Sequence, residues 1–263
     1  MTEIVANSVL PAKREIIHLT TSDGENLIGE LASPIDGKAI ATIITVHPLP
    51  THGGNTDSHL YRKMSWRLPA QAGINILRFN TRGTCSKLGT SSGSFDSSNN
   101  EGKDLLAAIK YVKDNNLGKP YVVGWSFGTD VTLRHAYDQD LSGVILLSPP
   151  LRFTTQDELA KWKNVTFPVV ALVPEFDDYL KPEEAKLRFS VTPNIQIVPA
   201  AGAKHLWVGE NSVQVVLNEI VTSSLVLTVP IKAVGGVMLN SVSLVARLPS
   251  KVSLLPLWLI FTG

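Results

Sequence analysis

Apolar positions recur along this chain in two rhythms, one of strands and one of helices, and their succession predicts its elements. Arg14 to Thr21 and Glu25 to Ser33 read as two strands joined by the turn signal Ser22-Asp23-Gly24. Ala39 to His47 is a nearly all-apolar run rich in Ile and Val, as expected of a strand buried on both faces. A Pro/Gly/His loop follows, Pro48 to Asn55, and then a helix from about Asp57 to Ala72 that Gly73 can end. Ile74 to Phe79 is the next strand. Arg82 to Asn100 is a long polar loop rich in Gly and Ser, of the kind that is usually functional or mobile. Glu101 to Asn115 sets Leu105, Ala108, Ile109 and Val112 at helical spacing, and Asn116 and Gly118 stop it. Pro120 to Val123 is a short apolar strand, Thr129 to Tyr137 a helix, and Ser142 to Leu147 a buried strand ended by Ser148-Pro149-Pro150. Phe167 to Val173 is again a strand, Pro182 to Phe189 a helix with proline in its first turn, Asn194 to Val198 a short strand and Glu210 to Val221 a last helix. Strands and helices thus alternate from Ala39 onward. That order predicts an α/β fold: a mostly parallel central sheet with an N-terminal antiparallel hairpin and helices on both faces.

The length of 263 residues suits one such domain with a large core. A formal net charge of +1 argues against a nucleic-acid surface and against general attraction to anionic lipid. The single cysteine, Cys85, excludes an intrachain disulfide and a cysteine metal cluster, and it reads as a free loop thiol. Met1 to Glu15 lacks a basic start followed by an apolar run and a cleavage site, so no signal peptide is expected, and a cytoplasmic setting follows from both features. The stretch 223–263 departs from this pattern. It is apolar and β-branched, and its only charges are Lys232, Arg247 and Lys251. Its uncharged runs are too short for a membrane span. Three readings stand for it: a docking segment or extra strand, an amphipathic tail that touches a membrane, and an out-of-frame extension beyond a domain complete at Thr222. The expected division is therefore 1–222 as the catalytic domain and 223–263 as an atypical tail.

The candidate chemistry centres on Gly124-Trp125-Ser126-Phe127-Gly128, between a short strand and a helix. A serine with glycine at both second neighbours in that setting is the sequence of a nucleophile elbow, where positions two before and two after the serine crowd one another. Acyl transfer by serine needs a base to take its proton and an acid to orient the base, in the chain order Ser, acid, His. His205 is the only histidine after Ser126 apart from His135, which lies inside the elbow helix. Glu175, Asp177 and Asp178 all follow the strand that ends near Val173, and they cannot all face the histidine; the strand end favours Asp177. The oxyanion is expected to meet the backbone N–H of Phe127 and one from the loop after His47. Pro48 has no N–H, which leaves Leu49. Trp125 and Phe127 flank the serine and could line an apolar acyl pocket. His18, His52, His59 and His135 lack metal-ligand spacing, and neither Gly53-Gly54 nor the 82–102 loop forms a Walker loop or a dinucleotide fingerprint, so no metal or cofactor is expected.

Together with Leu77-Arg78-Phe79-Asn80-Thr81-Arg82-Gly83, Pro174-Glu175-Phe176-Asp177 and Gly202-Ala203-Lys204-His205, these motifs resemble the α/β-hydrolase superfamily over about residues 14–222. The resemblance is to its small, lid-less bacterial members of the esterase, dienelactone-hydrolase-like and serine-peptidase-like kind. It implies Ser126 as nucleophile, His205 as base and Asp177 as acid, acting on a small-molecule ester or, second, a peptide. Two positions depart from the pattern. Asn80 stands where many relatives carry Asp, and Asp130 stands in the first turn of the elbow helix, where it suits the helix dipole but could perturb His205 if it reached inward. The sixteen residues between Pro150 and Phe167 leave little room for a lid. Two alternatives share the fold: a catalytically silent binding or scaffold protein, and an acyltransferase that uses the same triad.

Overall fold

The structure is a computed structural model and describes residues 7–225. The segment 226–263, with the readings given for it above, lies outside the described residues, as do residues 1–6. Strands β1 (Lys13–Thr20), β2 (Asn26–Ser33), β3 (Ala41–Val46) and β4 (Ile74–Phe79) open the chain, with helix α1 (His59–Ala72) between the last two. A two-residue hairpin, β5 (Cys85–Ser86) and β6 (Gly89–Thr90), precedes α2 (Glu101–Asp114), β7 (Tyr121–Trp125), α3 (Phe127–His135) and β8 (Gly143–Leu147). The chain continues through α4 (Gln156–Ala160), β9 (Val169–Phe176), α5 (Pro182–Arg188), β10 (Ile195–Lys204) and α6 (Glu210–Leu225). Eight strands form one sheet in the order β1-β2-β4-β3-β7-β8-β9-β10. β2 pairs antiparallel with both β1 and β4, and every pair from β4 to β10 is parallel. The expected fold class is the one observed.

Two apolar layers cover the sheet. Leu60, Tyr61, Met64 and Leu68 of α1 pack on one face with Val213, Val216, Leu217 and Ile220 of α6. The other face receives Leu105, Ala108 and Val112 of α2, Val131 and Leu133 of α3, Leu159 of α4 and Ala185 of α5. The spacing that predicted α2 is thus its buried stripe, with Ile109 at the margin. Each such Val, Leu, Ile or Met side chain removed from water contributes about 1.5–3 kcal/mol.

Helix α1 contains Pro69, which has no N–H and so leaves the Ser65 carbonyl without its intrahelical donor. Arg14 Nη1 donates to that carbonyl at 2.9 Å and to Ser65 Oγ at 2.8 Å, which ties β1 to α1 where the ladder is broken.

The polar 82–100 segment is anchored rather than loose. The Arg82 backbone N–H and guanidinium donate to the Asp104 carboxylate, and the guanidinium reaches Asp23 at 3.0 and 3.2 Å. Burial disfavours the Arg82 charge, but the hydrogen bonds to the two carboxylates outweigh it and raise its pKa. Asn80 acts as both acceptor and donor: its Oδ1 accepts from Thr56 N–H, and its Nδ2 donates to Ser86 Oγ and Gly89 O. An aspartate could not make the bond to Gly89 O, which accounts for the amide at this position.

Three boundaries differ by three residues or more from those expected. β9 continues to Phe176 and β10 to Lys204, although Pro174, Pro199 and Gly202 argue locally against strand. β8 accompanies β9 only as far as Leu172, so Pro174 has a neighbour on one side alone, and β10 is the sheet edge, which tolerates Pro199. The last helix runs beyond Val221 to Leu225. α4 was not expected from apolar spacing. Its signal is a capping box, in which Thr155 Oγ1 accepts from Glu158 N–H and Glu158 Oε2 accepts from Thr155 N–H.

Candidate active site

β7 delivers the chain to Ser126 and α3 carries it away within a single residue. Ser126 has φ 52° and ψ −117°, a conformation that costs a non-glycine residue about 1–3 kcal/mol. Bonds on both sides hold it there. Its N–H donates to Leu147 O at 2.9 Å, and its carbonyl accepts from Thr129 N–H at 2.8 Å and Thr129 Oγ1 at 2.6 Å. The flanking glycines crowd as expected: a Cβ on Gly124 would lie 2.5 Å from Gly128 O. The tighter contact was not foreseen. A Cβ on Gly128 would lie 1.9 Å from Val46 O, so the end of β3 dictates glycine there.

β9 and β10, beyond β8 on one side of β7, supply the remaining parts. Asp177 is the first residue past β9, and its Oδ2 lies 2.9 Å from His205 Nδ1, past the end of β10. His205 Nε2 lies 2.9 Å from Ser126 Oγ. Asp177 Oδ1 also accepts from the Tyr179 and Leu180 N–H groups, which fixes the carboxylate. The other two acids stand elsewhere: Asp178 is exposed, and Glu175 accepts from Gly202 N–H at 2.7 Å. Asp177 and His205 are nearly buried, at 3% and 5% exposure, so their hydrogen bond is little weakened by water. His205 is held by its backbone as well. Its carbonyl accepts from Trp125 Nε1 at 3.1 Å and Ser148 Oγ at 3.0 Å, and Tyr179 lies edge-on to its ring at 4.6 Å. Ser148 carries no motif and was missed; its mark is structural, a non-glycine φ of 50° at the end of β8.

Val46 pairs with Gly124, so the loop after β3 leaves the sheet beside the elbow. Leu49 stands there before the 3-10 turn Pro50–His52, and its carbonyl accepts from His52 and Gly54 N–H. Phe127 opens α3, where an N–H has no intrahelical acceptor. His47 braces this loop. Its Nδ1 donates to Pro48 O at 2.7 Å and its Nε2 accepts from Thr81 N–H at 3.0 Å, which requires a neutral ring. Burial lowers its pKa to about 4, against the opposing bond to Pro48. Below about pH 6.5 the unfolded chain takes up this proton while the folded one refuses it until about pH 4. Stability therefore falls across that window by up to about 1.4 kcal/mol per pH unit and levels below it. Urea midpoints at pH 7 and near pH 4.5 should fall further in wild type than in His47→Gln; equal losses would mean that His47 is not held neutral.

Trp125 and Phe127 do not share a wall, contrary to expectation. Trp125 is buried on the α1 side of the sheet, against His59 and Tyr61. Phe127 instead meets Phe95 at 5.4 Å and Phe153 at 5.8 Å on the opposite face. Asp130 does not reach the imidazole with any hydrogen bond. Its Oδ1 accepts from Phe153 N–H, Thr154 N–H and Thr154 Oγ1, and burial raises its pKa. It thereby pins the short segment that stands where a lid would be inserted. His135 Nε2 donates to Ser98 O, 2.7 Å away, and holds the 97–100 turn to α3.

Comparison with known proteins agrees with this architecture. A serine hydrolase homologue from Coxiella burnetii superposes with a TM-score of 0.67 at 22% identity, covering 85% of this chain and all of the other. A serine hydrolase from Xanthomonas campestris described as lacking a lid gives 0.65 at 23% identity, over 83% and 96% of the two chains. An esterase from Pyrococcus furiosus gives 0.64 at 20% identity, over 80% and 90%. At these identities the likeness carries the fold. No curated protein matches the chain. The sequence model of one family, serine aminopeptidase, S33, matches residues 46–226, from the end of β3 through α6, and the chain belongs to that family of α/β hydrolases.

Proposed function

We propose that the protein is a serine hydrolase that cleaves carboxylic esters of small molecules through an acyl-enzyme. Ser126 Oγ attacks the carbonyl, His205 takes its proton, Asp177 holds the imidazole with Nε2 toward the serine, and the N–H groups of Leu49 and Phe127 receive the oxyanion. The observation that carries this reading is the unbroken line from Asp177 through His205 to Ser126, with both links at 2.9 Å. Each oxyanion donor is worth about 3 kcal/mol of transition-state stabilisation. The likeness to an esterase and the family membership support hydrolysis. The family description also raises a peptide substrate. The aromatic side chains of Phe95 and Phe153 against Phe127 suit an apolar acyl group better than the charged amino terminus of a peptide, which favours the ester.

A fluorophosphonate probe tests the reading directly. One adduct on wild type by intact mass, absent from Ser126→Ala, is expected. A well-folded wild type that takes no label would mean that Ser126 is not activated, and the binding-protein alternative would then take precedence.

A further inference from the structure

The geometry points to a leaving-group subsite beside His205 that selects esters of apolar alcohols. It deepens the serine-hydrolase reading and rests on it. A cavity of about 320 Å3 lies against His205, between Asp178, Lys204, Leu206, Val208 and Ser212. In acylation the bond from Ser126 Oγ to the carbonyl carbon forms and the bond from that carbon to the alcohol oxygen breaks, its electron pair leaving with the oxygen. The proton that His205 took from Oγ passes from Nε2 to that oxygen and frees the alcohol. The departing oxygen must therefore come within reach of His205, and the alcohol it carries lies on the imidazole side of Ser126.

The chemistry of that side is unusual for a surface. Among the described residues eleven large apolar side chains are exposed, and Phe176, Tyr179, Leu206 and Val208 sit in the two segments that carry Asp177 and His205. Leu206 and Val208 are 53% and 72% exposed while Trp207 between them is fully buried. Trp207 takes φ 51°, and the Leu206 carbonyl is hydrogen-bonded to His59 Nε2 at 2.7 Å. The loop is thus pinned from beneath and holds its two apolar neighbours outward at the cavity. Grouped exposed apolar side chains mark a binding surface rather than a requirement of folding. Asp178 and Lys204 contribute one charge of each sign, so net charge does not choose the occupant and apolar contact does. The volume is at the small end for ligand pockets and suits an alcohol of roughly six to ten carbons.

Acetate esters of methanol, butanol, hexanol and octanol test this, because their leaving groups differ little in acidity and the chemical step stays constant. For wild type, kcat/KM should rise at least about tenfold from methyl to hexyl acetate. In Leu206→Ser and Val208→Ser that ratio should fall by about threefold or more, while the relative kcat/KM along methyl acetate, butyrate and hexanoate keeps its wild-type slope. Both positions are exposed, so neither change threatens the core. A flat alcohol series with Ser126 labelled and esters cleaved would overturn the subsite and leave the hydrolase reading intact. So would an alcohol preference that survives in both variants, or labelling of Ser126 with no alkyl acetate cleaved. Absence of both labelling and cleavage would overturn the hydrolase reading together with the subsite.

Discussion

Ser126→Ala is expected to lower kcat/KM toward ester substrates by roughly 10^6-fold with the fold retained, and His205→Ala by a similar factor. The double variant should be no worse than either single one, because the nucleophile and its base act as a unit. Asp177→Asn should cost about 10^4-fold, since an amide at that position can hold the imidazole in the wrong tautomer. The Asp177 Oδ2 to Nδ1 distance of 2.9 Å and the two backbone N–H groups on Oδ1 argue for this ranking. Asp178→Asn should cost at least about a hundredfold less than Asp177→Asn, because its exposed carboxylate makes no bond to the imidazole. Steady-state kinetics beside far-UV circular dichroism decide the matter. Equal losses from the two aspartates would reassign the acid, and a Ser126→Ala protein with wild-type turnover would remove the mechanism.

Much of this site is legible in the sequence because its parts are set by local rules. The glycines around Ser126, the proline that disqualifies residue 48 as a donor and the scarcity of histidines after the elbow each restrict the choice without knowledge of the fold. The choice among Glu175, Asp177 and Asp178 was narrowed only by where β9 was expected to end, and that strand in fact runs three residues beyond Val173. Asp177 still falls first past it, because Pro174, Glu175 and Phe176 extend the strand against β10 alone. What the sequence hides are contacts between segments distant along the chain. Ser148 and Trp125 reach the His205 carbonyl across 57 and 80 residues, and Trp125 lies on the opposite face of the sheet from Phe127, two residues on, because the strand ends between them. The helix dipole alone accounts for an acid at Asp130, whereas its partners are residues 153 and 154 of a segment with little apolar periodicity. α4 lies in that segment, and the Thr155 and Glu158 box that begins it was visible to capping rules but not to hydrophobic spacing.

The largest loss of stability is expected from Gly128→Ala. Alanine is favoured over glycine inside a helix by about 1 kcal/mol, and Gly128 lies within α3, so helix propensity alone predicts stabilisation. The contact predicts the reverse. The added methyl would sit 1.9 Å from Val46 O, 2.6 Å from Val46 C and 3.0 Å from His47 O, all backbone atoms of a strand end held between β4 and β7. Neither side can give way by rotating a side chain, so α3 must shift off the sheet or β3 must bend. The cost belongs to the overpacking class with unusually rigid surroundings, about 4 kcal/mol or more. Gly124→Ala meets Gly128 O at 2.5 Å, Gly128 C at 2.8 Å and Thr132 Oγ1 at 2.8 Å; its closest backbone contact is less severe than the 1.9 Å at Gly128, so its loss should be the smaller of the two. Urea midpoints for both variants measure the difference, and a Gly128→Ala protein as stable as wild type would show that β3 does not press on the elbow helix in this way. The same displacement bears on chemistry. Val46 leads directly into His47 and Leu49, so any Gly128→Ala protein that folds holds the Leu49 N–H away from Phe127, and its acylation rate should fall further than its folded fraction does.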